Sequence, residues 1–448
     1  MKATQYTTMT DNIMKKTELM SSKLEMGGVM IIKTAQNPLT DEFEGFGTAI
    51  TGASCYELNL MPKAQRDEFL KDIYTQDGLD LSVGRVTIGS SDYSAELYSY
   101  DDVKDDEALQ HFSIEKDMAY VVPMIKEVIN VKPGLMLFAS PWSPPGWMKT
   151  SGLMCGGYMR EKYLKCYANY TLKFLKEYEK QGIHITALTV QNEPETQQSG
   201  YMPACIWHPD LEAKYILELR KLLDENKMDT KIWMYDHNFN GWRRVLWCLE
   251  EYPGLMEASG NVAFHYYEGC AEMGLKLKEE FPNLKLHFTE GGSALYNNYT
   301  VDWCRWASVL IKTMTNGCVT LTGWNLVLDE TGRPNIGPFS CGGLVTYDSR
   351  TNQIVRSGQY HAMKHFSKFI KKGAKIYPAN LEFCDVSLSS AQNVKKNIEC
   401  CLAENKDGSA VLEIVNPNDS KVQLQYFYKN EWWYIESFDN SVTTVVFK

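Results

Sequence analysis

The sequence predicts an α/β protein in which short strands alternate with longer helices, followed by an all-β module. Three observations carry this. Between Gly45 and about Lys372, β-like apolar runs alternate with helical patterns, which argues for parallel βα units. Eight such runs occur, the count a closed (β/α)8 barrel needs. After residue 374 the helical period gives way to alternating and β-branched runs. On these grounds alone an open, doubly wound sheet is the competing topology.

Each element has a local reason. Residues 1–42 are polar apart from VMII (29–32), a candidate strand. The eight runs are GFGTAI (45–50), LSVGRVTIG (81–89), LMLFAS (135–140), ITALTVQ (185–191), KIWMYD (231–236), VAFHYY (262–267), LKLHFTE (284–290) and VTLTGWNL (319–326). Between them, Tyr163, Tyr167, Tyr170, Phe174 and Tyr178 step by three or four residues, which makes one apolar helical stripe. Leu211, Tyr215, Leu219, Leu222 and Leu223 make another. Ile114, Met118, Val121, Ile125 and Val128 make a third, with Ser113 as N-cap and a kink expected at Pro123. In the tail, VLEIV (411–415), KVQLQYFY (421–428), EWWYI (431–435) and TTVVFK (443–448) read as strands, with turns at NPND (416–419) and KNE (429–431). If Val29–Ile32 joins that tail, the chain divides into a unit over 43–374 and a β module from 1–42 plus 375–448.

Composition excludes several classes. Lys and Arg number 46 against 56 Asp and Glu, a net charge of −10, so no basic face for nucleic acid is expected. No apolar run reaches the length of a membrane span, and no amphipathic basic helix or lipidation motif suggests a stable membrane anchor. The 12 cysteines include no C-x-x-C, and each reads as a small buried hydrophobe. With no apolar signal-peptide stretch near the start, they fit a reducing, cytoplasmic setting.

Some motifs carry little. GFGTAITG (45–52) lacks the G-x-G-x-x-G spacing, and no G-x-S-x-G occurs. His361 and His365 lack the glutamate of H-E-x-x-H and read as a solvated helix face. DDVKDDE (101–107) reads as a solvated loop.

Two strand ends stand out. QNEPE (191–195) places Glu193 after the fourth run, and HFTEGG (287–292) ends the seventh run on Glu290. In a (β/α)8 barrel, strand C-termini form the active face, so these carboxylates would oppose one another across the mouth. That is the pair a retaining glycoside hydrolase needs. Asp92, Trp142, His265, Tyr267 and Trp324 also fall at strand ends. Aromatic faces with polar tips suit a sugar ring and its hydroxyls.

These segments resemble glycoside hydrolase family 30, the family of lysosomal glucosylceramidase. The likeness runs from about Gly45 to Phe369 through FGTAITGAS (46–54), RVTIGSSDYS (85–94), SPWSPPGWMKTSG (140–152), TVQNEPE (189–195), FHYY (264–267), FTEGG (288–292), GWNLVLDETGRPN (323–335) and HFSKFI (365–370), in the family's order. Thr48 stands where the family usually carries a second glycine. The resemblance implies a (β/α)8 TIM barrel with an attached all-β sandwich built from both termini. It implies Glu193 as acid/base, Glu290 as nucleophile, Asn192 as the holder of the sugar 2-hydroxyl and Arg85 as support for the nucleophile's charge. Asp92, Trp142, His265, Tyr267 and Trp324 would line the first sugar subsite. The implied activity is retaining hydrolysis of β-glucosidic bonds, with endo-β-1,6-glucanase or β-xylosidase as alternatives and a non-catalytic carbohydrate-binding protein as a remote one. Neither a metal nor an organic cofactor is called for. The expected partner is a small β-glucoside or oligosaccharide, with a glucolipid as a further candidate, and the oligomeric state is open.

Overall fold

The computed structural model describes residues 1–448 except 12, 28, 197–199, 201 and 384–396. Eight parallel strands close into a barrel: β1 (Gly45–Ala49), β2 (Val83–Ile88), β3 (Met136–Pro141), β4 (Ala187–Thr189), β5 (Lys231–Asn238), β6 (Asn261–His265), β7 (Lys285–Glu290) and β8 (Cys318–Asn325). Each strand pairs with its neighbours in sequence, and β8 pairs with β1, so the open-sheet topology is excluded. Every expected run supplies one strand. Helices on the outside bury the stripes read from the sequence: Tyr167, Tyr170, Phe174 and Tyr178 of Leu164–Lys180, and Tyr215, Leu219 and Leu223 of Pro209–Glu225, are all buried.

The third stripe differs. A short 3-10 turn (Glu115–Ala119) and an α-helix (Val121–Val131) replace the single kinked helix, and the break falls at Tyr120. Pro123 therefore lies in the first turn, where a missing N–H costs nothing, and no kink arises there. Ser113 caps the 3-10 turn by accepting from the Glu115 amide at 3.1 Å. Just inside, buried Asp117 accepts from the hydroxyls of Tyr98 (2.5 Å), Tyr100 (2.6 Å) and Tyr178 (2.7 Å), which ties the turn to the long tyrosine helix. The 101–107 loop is solvated except for buried Asp101 and half-buried Asp106.

The β module is one ten-stranded sheet. It runs Lys15–Leu19, Ala3–Thr8, Ser441–Phe447, Ala410–Asn416, Glu399–Glu404, Lys375–Phe383, Met30–Thr34, Val422–Tyr428, Glu431–Ser437 and Ser21–Ser22. It curls until Glu431–Ser437 packs back on Ser441–Phe447, where the Trp433 and Phe447 rings lie 5.6 Å apart, giving a sandwich with a shared core. Val29–Ile32 lies within or beside one of its strands, as expected, and Ala3–Thr8 joins the C-terminal strand in a full antiparallel register. Its inward side chains are Ala3, Gln5 and Thr7, so it carries little hydrophobic signal of its own.

This sheet corrects one reading. The helix Gly358–Ser367 is covered by it, so His365 is buried and not solvated, with its ring nitrogens 2.8 Å from Thr444 Oγ1 and 2.8 Å from Thr8 Oγ1. His361 is half-buried. The cysteine reading also changes in part. Cys155, Cys166 and Cys341 are half-buried and Cys270 is exposed, while seven others are buried thiols; Cys384 lies outside the described residues.

Candidate active site

The barrel mouth is organised by β-bulges. In β5, Ala263 of β6 faces Tyr235 but Phe264 faces His237, so Asp236 is the extra residue. Tyr235 and Asp236 adopt φ of 74° and 76° there, which turns Asp236 into the barrel. A second bulge in β7 leaves Thr289 unpaired, and a third in β8 does the same to Trp324. Thr48 holds that third bulge, because its hydroxyl donates to the Trp324 carbonyl at 2.6 Å. The departure from the family's glycine thus has a local use.

Arg85, fully buried on β2, sits at the centre with all five N–H donors engaged. Nη1 donates to Glu290 Oε2 (2.5 Å) and the Thr289 carbonyl (3.3 Å). Nη2 donates to Asn192 Oδ1 (2.9 Å) and Asp236 Oδ2 (2.8 Å), and Nε donates to Ser140 Oγ (3.1 Å). The guanidinium lies 4.9 Å from the Trp142 ring and 5.3 Å from the Trp324 ring, and those two rings stack at 5.1 Å. Because Asn192 Oδ1 accepts from Arg85, its amide NH2 is left to face a ligand. Asp236 also accepts from the hydroxyls of Thr189 (2.7 Å) and Thr289 (2.6 Å). Burial opposes its charge, but Arg85 and His265 hold its carboxyl well below the usual range.

His265 joins the carboxylates. Nε2 lies 3.0 Å from Asp236 Oδ1, and Nδ1 lies 3.3 Å from Glu193 Oε1 and 3.9 Å from Glu290 Oε1. Burial disfavours its charge, yet Glu290, Asp236 and Glu193 together lift its pKa to about 9. Tyr267 completes the set, with its hydroxyl donating to Glu290 Oε1 at 3.0 Å.

Glu193 sits in the left-handed region (φ 50°), its amide bonded to the Asp236 carbonyl at 3.0 Å. One oxygen of Glu193, one of Glu290 and a His265 nitrogen all lie within 4.8 Å of one another. Such a trio is close enough for a cation. His265 argues against one, because an imidazolium held by carboxylates has no lone pair to offer. Arg85 already supplies positive charge to Glu290.

The electrostatics of the pair are set by more than its two members. A negative neighbour such as Glu290 by itself raises the pKa of a carboxyl. Here, although burial raises Glu193, the hydrogen bond and charge of His265, with His237 beyond, pull it down. Burial raises Glu290 in spite of His265 and Arg85. Taken one by one, these directions put the first shared proton on Glu290, whereas the hydrogen bonds favour Glu193. Both Glu290 oxygens already receive a donor, from Arg85 and Tyr267, and Glu193 meets a single nitrogen at 3.3 Å. The hydrogen-bond inventory decides, since protonating Glu290 would forfeit a buried charge-assisted bond.

Asp92 and Trp142 join these groups in a cavity of about 700 Å³, with Asn192, Glu193, Tyr267, Glu290 and Trp324 also on its wall. Asp92 is buried with Oδ1 unpartnered, and burial, then Glu290 and Glu193, push its pKa well up. All nine candidate residues therefore converge, with Arg85 and His265 just behind the wall. Asp236, His237 and Glu195 were missed. Asp236 ends KIWMYD as Glu290 ends LKLHFTE, so the strand-end rule could have found it.

The chain is similar to known proteins over most of its length. The family model for the glycosyl hydrolase family 30 TIM-barrel domain matches residues 43–370. An endo-1,6-beta-D-glucanase of Neurospora crassa is 29% identical over 407 residues, covering 86% of this chain and 83% of that one. The lysosomal acid glucosylceramidase of Mus musculus is 27% identical over 405 residues, covering 85% and 76%. A solved endo-beta1,6-glucanase superposes with a TM-score of 0.87 at 25% identity, over 100% of this chain and 99% of that one. The chain belongs to glycosyl hydrolase family 30 and is an O-glycosyl hydrolase.

Proposed function

We propose that the enzyme cleaves β-glucosidic bonds with retention, Glu290 acting as nucleophile and Glu193 as acid/base. The observation that carries this is the approach of the two carboxylates to within 4.8 Å. Retaining enzymes space the pair at about 5–5.5 Å, and inverting enzymes at about 6.5–9.5 Å.

Glu290 attacks the anomeric carbon as the bond to the leaving oxygen breaks, and the proton on Glu193 passes to that oxygen. The glycosyl–Glu290 ester is neutral, so the charge opposing ionisation of Glu193 has gone. Glu193 then takes a proton from water, the hydroxide attacks the same carbon, and Glu290 leaves with its electron pair. Arg85 stays in place throughout because Asp236 holds it independently of Glu290. The free amide of Asn192 and the carboxyl of Asp92 are available to sugar hydroxyls. The Neurospora relative favours an endo-acting β-1,6-glucanase as the second reading.

Glu290→Gly is expected to abolish hydrolysis of 4-nitrophenyl β-glucoside, and added azide to yield the glycosyl azide of inverted configuration. Residual turnover without azide, or an azide product of retained configuration, overturns the nucleophile assignment.

A further inference from the structure

The cavity continues past the catalytic pair. Beside the apolar Met202, Phe339 and Cys341, its remaining wall is polar: Glu195, Thr196, His237, Asn238, Asn240 and Glu268, none of which the steps above use. His237 lies on the leaving-group side, since its Nε2 is 3.9 Å from Glu193 Oε1, the carboxylate that must meet the leaving oxygen, and Thr196 and Glu195 adjoin His237.

The wall is built before any ligand arrives. The Tyr235 hydroxyl donates to Glu195 Oε2 at 2.7 Å, with Arg244 4.0 Å from the other oxygen. His237 stands between Thr196 Oγ1 (3.1 Å from Nε2) and Glu195 Oε2 (3.8 Å from Nδ1). Asn240 Nδ2 donates to Glu268 Oε2 at 2.7 Å, joining the loops that follow β5 and β6. Two polar atoms of this wall are left over: His237 Nδ1 and Asn238 Oδ1 are buried without a hydrogen-bond partner. Buried polar atoms in native proteins are nearly always satisfied, so such a pair calls for an explanation.

The chemistry selects among leaving groups. An alkyl chain would strip water from Glu195 and Glu268 and return no hydrogen bond. An anionic group would meet two carboxylates. A neutral sugar offers hydroxyls that both donate and accept, which suits carboxylates, an imidazole and amides together.

We propose that Glu195, His237, Asn238, Asn240 and Glu268 form a hydroxyl-reading leaving-group subsite, so that the bond cleaved joins a glucosyl unit to a second sugar and not to a lipid. This rests on the β-glucosidase reading above.

The test compares three substrates: β-linked glucosyl-glucose disaccharides of each linkage, 4-nitrophenyl β-glucoside and octyl β-glucoside. The wild-type kcat/KM for the best disaccharide is expected to exceed that for the octyl glucoside at least tenfold. Asn238→Ala and the exposed Asn240→Ala are each expected to lower kcat/KM for that disaccharide at least tenfold more than for the nitrophenyl glucoside. Preference for the octyl glucoside, or equal losses on both substrates in Asn240→Ala, overturns the subsite alone. No turnover of any of the three overturns the β-glucosidase reading, and the subsite with it.

Discussion

Two histidines on neighbouring barrel strands are equally shut off from water and carry opposite charge states. His265 ends β6 at the mouth, with Asp236, Glu193 and Glu290 around its ring. His287 lies lower on β7, stacked 3.7 Å from the Trp233 ring, its nitrogens each 3.0 Å from Thr320 Oγ1 and Asn261 Oδ1. Burial pushes both imidazoles toward neutrality. At the mouth three carboxylates reverse that push and lift the pKa to about 9, whereas at His287 burial, helped by Lys285 and Lys231, pushes it well below the ordinary value. Burial sets the cost of a charge, and the partners within about 4 Å decide whether it is carried. The mouth is thus a deliberately charged region above a neutral core.

The hardest way to break this contrast is to remove the mouth's other cation. Arg85→Met leaves Asp236 and Glu290 facing His265 alone in a buried site. Breaking a buried pair in this way costs about 3–5 kcal/mol. Urea denaturation is expected to show that loss, and kcat/KM is expected to fall by at least about a hundredfold. A variant within about 1 kcal/mol of wild type would mean that water compensates Asp236 and Glu290 in place of Arg85.

How much of this contrast was legible beforehand depends on what carries the signal. The barrel strands are apolar runs with polar ends, so their number, order and both catalytic candidates could be read directly. The bulges could not. Asp236 faces the barrel only because Tyr235 and Asp236 take positive φ, and neither residue type announces that. The edge of the sandwich was equally silent. Ala3–Thr8 buries Gln5 and Thr7, whose partners stand more than 400 residues away in sequence. Sequence separation also hid the burial of His365, which meets Thr8 and Thr444 of that sheet. Pair electrostatics were the least legible. Two strand-end carboxylates can be placed across a mouth from sequence, but not that His265 sits against both and lowers Glu193.

A second, smaller effect comes from His265 itself. Its folded pKa lies above the unfolded value of about 6.5, so its charge adds stability that is fully present below that pH and is lost as pH rises toward about 9. The stability difference between wild type and His265→Gln is therefore expected to shrink by roughly 3 kcal/mol from pH 6 to pH 9.5. Urea titrations of both proteins across that range test this. A difference that grows as pH rises from 6 would place His265 in the same neutral class as His287, and a constant one would mean that its pKa is unshifted by folding.

The smallest effect is the mirror image. His287 remains neutral when folded, while the unfolded chain protonates it below about pH 6.5. Its presence thus penalises the fold in acid, and the penalty grows as pH falls. Gln can keep a donor and an acceptor toward Asn261 and Thr320 but cannot take up the proton. His287→Gln is expected to lose stability at pH 7.5 through the missing ring stack on Trp233. Between pH 7.5 and 5.5 wild type is then expected to lose about 1.4 kcal/mol more than the variant. Wild type losing less than the variant over that interval would mean that His287 gains a proton in place, and the neutral region would then have to admit a charge with only a hydroxyl and an amide to hold it.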